Sequence, residues 1–82
     1  MKLELVVQYA DGNETVVTVK AVDIVAFEQH FDMSMSRLEK EIRMTHLFFL
    51  AHHAQKRSGE TKDDFDKWLE NVDNVVMGDA KK

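Results

Sequence analysis

The stretch from Ile42 to Ala54, reading Ile-Arg-Met-Thr-His-Leu-Phe-Phe-Leu-Ala-His-His-Ala, constrains this chain more than any other. At helical spacing Met44, Leu47, Phe48, Ala51 and Ala54 form one stripe. Ile42, Phe49 and Leu50 spread apolar surface around the rest of the cylinder. A helix greasy on so many faces is either the central pillar of a fold or a surface half-buried against another chain. With 82 residues and no cysteine, the chain is one domain near the lower size limit for an independent core. A partner surface would add stability that no disulfide supplies.

Several function classes lose ground on composition. The net charge of −4 argues against binding nucleic-acid phosphates. The longest apolar run, Leu47 to Ala51, is far too short to span a bilayer, so no membrane partner is expected. The absence of cysteine fits a reducing compartment, and the opening Leu-Glu-Leu-Val-Val lacks the pattern of a signal peptide.

Residues 3–21 alternate as a β-hairpin, with Leu3, Leu5, Val7 and Tyr9 facing one side and Val17 and Val19 the other strand's equivalent. A two-residue Asp11-Gly12 turn would put the two apolar sets on opposite faces. A three-residue loop, Asp11-Gly12-Asn13, pairs Val7 with Val17 and Leu5 with Val19, and is preferred because a one-residue slip turns every side chain over. Such a hairpin is marginal alone, so its apolar face must rest on helices, and its open edges are ready to recruit a strand.

Three helices follow by periodicity. Asp23 reads as the N-cap of a helix over about 23–31, carrying Ile24, Phe27 and Phe31. Ser36 and Glu39 have capping-box spacing and open a helix over about 36–57, closed by Ser58-Gly59. Whether that helix is continuous or breaks near Arg43 stays open. Thr61 reads as the cap of a last helix over about 62–72, with Phe65, Trp68, Leu69 and Val72 on one stripe. Beyond it the pattern dissolves, and residues 75–82 read as a flexible tail to a compact domain over 1–74. The expected fold is therefore α+β, an N-terminal β-hairpin followed by a three- to four-helix bundle.

No catalytic signature emerges, and neither a metal nor a cofactor is expected. His46 and His53 share a helix face but lie about 10 Å apart along its axis, too far to chelate one ion directly. Glu39, Glu41, Asp63 and Asp64 fall on solvated faces or first turns, and Ser34, Ser36 and Ser58 fall in turn or cap contexts. Gly12, Gly59 and Gly78 are too scattered to cradle a phosphate. What remains is adaptable apolar surface: Met33, Met35 and Met44 near Phe48 and Phe49 read as core, with a peptide-binding groove as the functional alternative.

Three segments carry a resemblance: Val22-Asp-Ile-Val-Ala-Phe-Glu28 with Phe31, then Thr45-His-Leu-Phe-Phe-Leu-Ala51 with Ala54 and Arg57-Ser-Gly59, then Phe65-Asp-Lys-Trp-Leu69 with Val72-Asp73. In order, spacing and total length they resemble the small tail assembly chaperones of long-tailed (siphovirus-type) bacteriophages, particularly those of actinobacteriophages. One departure is that many relatives place a glycine shortly after the first helix, where this chain reads Phe31-Asp32-Met33. The resemblance implies a non-enzymatic protein of the host cytoplasm. It would bind the tape measure protein and prevent its aggregation while the tail tube assembles. It also implies self-association into a homo-oligomer and a longer form made by ribosomal frameshifting. Met44, Leu47, Phe48, Phe49 and Leu50 are the candidate partner-binding residues. The rival expectation is a small acidic regulator of a host protein, using Asp63, Asp64, Asp66, Glu70 and Asp73 as a charged face.

Overall fold

The computed structural model describes residues 3–34, 40 and 43–78. Its elements run β1 (Leu3–Tyr9), β2 (Glu14–Val19), α1 (Ala21–Phe31), α2 (Met44–Ser58), α3 (Phe65–Glu70) and β3 (Val72–Gly78). The strands form one antiparallel sheet in the order β2-β1-β3. This corrects the expected hairpin and helical bundle: the fold is α+β with a three-stranded sheet and three helices among the described residues.

The third strand is the physical reason for the correction. β1 has alternating apolar residues and an open edge, and Val72, Val75 and Val76, which are β-branched, together with Met77 supply the segment that completes it. Val75 pairs with Val7 and Val76 with Val6. Residues expected as the end of a helix and a loose tail are therefore sheet. Val75 lies in the core, 1 % exposed. Near the start of β3 the register shifts between Gln8 and Tyr9, and Tyr9 pairs with Val72. At its far end a Cβ on Gly78 would lie 2.9 Å from the Glu4 carbonyl oxygen, closer than any side chain tolerates.

The hairpin keeps the expected faces with a different loop. Leu5 pairs with Val17 and Leu3 with Val19, two residues away from the anticipated register. A two-residue displacement leaves every side chain on its own face. The loop is Ala10-Asp11-Gly12, closed by Tyr9 N–H to the Asn13 carbonyl at 2.8 Å and Gly12 N–H to the Tyr9 carbonyl at 3.0 Å. Gly12, at φ 94°, takes the left-handed position that this three-residue loop requires.

Helix α2 is the pillar. It touches β1, β2, β3, α1 and α3, and it buries Leu47, Leu50, Ala51 and Ala54 against Leu5, Val7, Val17, Val19 and Val75. It begins at Met44, because Arg43 is extended (φ −120°, ψ 151°). The expected capping box at Ser36 and Glu39, the apolar positions Leu38 and Ile42, and Met35 lie outside the described residues. Gly59, at φ 85°, ends α2 as expected, its N–H donating to the Gln55 and Lys56 carbonyls.

Both short helices start elsewhere than anticipated. Lys20, not Asp23, is the N-cap of α1; Asp23 sits a turn inside and accepts from the Lys20 N–H at 2.9 Å. Asp64, not Thr61, caps α3, accepting from the Lys67 N–H at 2.9 Å, while Thr61 Oγ1 accepts from the Asp63 N–H in the loop before it. At the end of α1, Asp32 adopts a left-handed conformation (φ 54°), the backbone state for which glycine is suited.

Candidate functional site

Two polar clusters attach α2 to its neighbours. The first is centred on a buried amide. Gln55, 1 % exposed, donates through Nε2 to the Tyr9 hydroxyl at 2.7 Å and accepts at Oε1 from the Trp68 indole N–H at 2.7 Å. One side chain thereby links β1, α2 and α3 and satisfies the polar end of a tryptophan that is 3 % exposed.

The second cluster is ionic. Asp23, fully buried, accepts from His53 Nδ1 at 2.5 Å and from Arg57 Nε and Nη2 at 3.0–3.3 Å. Burial pushes the Asp23 carboxyl up, but donation from Arg57, the Lys20 N–H and His53 outweighs it, and the net displacement is below 3.8. Asp23 is accordingly a carboxylate at neutral pH. Its hydrogen bond raises the Arg57 pKa in turn. His53 and Arg57 stand four residues apart on α2 and so reach one acceptor on α1.

Beyond this cluster lies a cavity of about 540 Å³ bounded by α1, α2 and the start of α3. Phe31, Phe49 and Phe65 give it apolar walls; His30, His52 and His53 lie among them, with Thr45, Lys56 and Arg57 completing the lining. The rings brace one another. Phe49 stacks between His30 (centroids 4.6 Å apart, planes at 18°) and His53 (5.9 Å, 23°), and Phe65 meets His52 at 5.5 Å. His52 Nε2 lies 2.9 Å from the Asp63 carbonyl. Phe49, His52 and His53 are only partly buried, so solvent reaches the cavity.

The candidate partner-binding residues separate on this frame. Leu47 and Leu50 are 4 % and 0 % exposed and are consumed by the core. Phe48 is half-buried against Trp68. Phe49 lines the cavity, and Met44 stands exposed at the start of α2. The histidines and Asp23 were not anticipated as a group. The i, i+4 spacing of His53 and Arg57 was the available signal, and it shows only that both face one side, not which residue they meet.

Among the described residues no set of three His, Asp or Glu side chains is disposed to hold a metal ion, and no helix is long and apolar enough to cross a membrane. Compared with protein-family models, curated proteins and solved structures, the chain finds no match.

Proposed function

We propose that this protein is a non-enzymatic assembly chaperone of the long-tailed phage type, whose aromatic cavity receives apolar segments of a tape measure protein. The observation that carries this is the cavity itself, about 540 Å³ walled by Phe31, Phe49 and Phe65 and open to solvent. Its volume suits a few apolar side chains of an incoming segment. The resemblance supplies the partner, and reversible burial of apolar surface supplies the mechanism: the partner's side chains leave water while held and re-enter other contacts when the tube closes around them.

Self-association and a longer frameshifted form belong to the same proposal. A row of valines, Val16, Val6 and Val76, runs across the outer sheet face in directly paired positions. With Val16 59 % and Val76 36 % exposed, that row offers a second copy an apolar surface distinct from the cavity.

The test is co-expression with a tape measure protein of a long-tailed phage, followed by affinity capture. Retention that Phe49→Glu abolishes, with helical circular dichroism unchanged, is expected. A folded wild-type protein that retains nothing overturns the proposal.

The exposed carboxylates Asp64, Asp66, Glu70 and Asp73 around α3 favour the acidic-regulator reading instead. Capture of a host protein, lost as salt is raised, would select it.

A further inference from the structure

We infer that the cavity selects an aromatic side chain bearing a hydrogen-bond donor, a tyrosine or tryptophan of the bound segment, over phenylalanine or an aliphatic residue. This rests on the partner-binding reading of the cavity and names the chemistry of its anchor. The inference follows from which nitrogens of His52 and His53 are already engaged.

A carbonyl oxygen only accepts, so His52 Nε2, 2.9 Å from the Asp63 carbonyl, carries the proton and donates it. In the neutral ring His52 Nδ1 is then a bare acceptor. His53 is fixed in the opposite sense. Its Nδ1 lies 2.5 Å from the Asp23 carboxylate, so Nδ1 holds the proton, and in the neutral ring Nε2 is the acceptor. Arg57 keeps that carboxylate charged, which holds the proton of the neutral ring on Nδ1. Among the described residues neither His52 Nδ1 nor His53 Nε2 has a hydrogen-bond partner, and both rings line the cavity.

The two acceptors are thus set among Phe49 and Phe65, which stack on or abut their rings. A phenylalanine or leucine entering this space strips water from both nitrogens and returns nothing to them. A phenol O–H or an indole N–H fills the apolar volume and supplies the missing donor. Discrimination of this kind arises because a site built for a hydrogen bond penalises the analogue that lacks it.

The experiment uses the whole protein and two soluble probes, N-acetyl-tyrosinamide and N-acetyl-phenylalaninamide, titrated at pH 8, where an ordinary imidazole is neutral. Binding is followed by NMR shifts of the cavity residues. Long-range proton–nitrogen spectra report the tautomer of each histidine. The expected result is a protonated Nδ1 on His53, a protonated Nε2 on His52, and about fivefold or greater preference for the tyrosine probe. Equal or weaker binding of that probe, absence of binding by both, or inverted tautomers would overturn the inference. The test needs no tape measure protein. A failed capture alongside a clear tyrosine preference removes the chaperone assignment alone; successful capture without that preference removes only the anchor chemistry.

Discussion

The two polar clusters on α2 differ in a way that separates architecture from function. Gln55 and its partners Tyr9 and Trp68 form a neutral chain, with Gln55 and Trp68 buried and Tyr9 partly exposed. Asp23, His53 and Arg57 form a charged cluster with one fully buried member and one face on an open cavity. In the neutral cluster the buried amide and indole are spent on each other and on the tyrosine hydroxyl. The ionic cluster spends one nitrogen of His53 on the fold and leaves the other without a partner on a ring that lines the cavity.

If that contrast is right, the greatest loss of stability comes from the neutral cluster. Gln55→Ala removes one buried and one partly buried hydrogen bond, strands the Trp68 N–H and leaves a cavity, for an expected cost of about 3 kcal/mol. Urea unfolding measures it, and a cost below about 1 kcal/mol would show that the cluster is not a clamp. Asp23→Ala should cost about 2 kcal/mol, from the lost acceptor of the Lys20 N–H at the start of α1 and the donors left behind. His53→Ala reverses the balance. It is expected to lower stability by about 1 kcal/mol or less while weakening capture of the tape measure protein by more than tenfold. If capture survives, the half-open cluster is architecture too.

Acid sharpens the comparison because only one cluster titrates through a carboxylate. The folded-state pKa of Asp23 is depressed below 3.8, so its contribution is fully present above that value and is lost as pH falls through the lower, folded pKa. The stability gap between wild type and Asp23→Asn should still be present at about pH 5 and close as pH falls below 3.8. The gap for Gln55→Ala should show no such closure. The smallest effect is expected far from both clusters. Asp32→Gly relieves the left-handed backbone at the end of α1 and should stabilise by about 0.5–1 kcal/mol, read as a higher melting temperature.

Local signals were legible where a residue's role depends on its near neighbours. The alternation in β1 and β2, Gly12 in the turn, Gly59 ending α2 and the Phe65-Trp68-Leu69 face all follow from periodicity and backbone freedom. The candidate site was legible only in part. Phe49 stood out as surplus apolar surface on α2. His30, His52 and His53 read as surface or partly buried structural histidines, since nothing in their spacing shows that α1 and α3 converge on one side of α2.

The sequence by itself therefore determined the faces of the hairpin, the central helix and its end, and the lack of any recognisable catalytic motif. Tertiary structure decided the rest. Val72 to Gly78 became a strand because the free edge of β1 offered hydrogen bonds that a tail would lack. Asp23 moved from an expected surface cap to a fully buried acceptor because Arg57 and His53 reach it from 34 and 30 residues away. Both outcomes are set by partners distant in the chain. Pattern reading weighs a residue against its neighbours in sequence, whereas burial, register and charge pairing weigh it against neighbours in space.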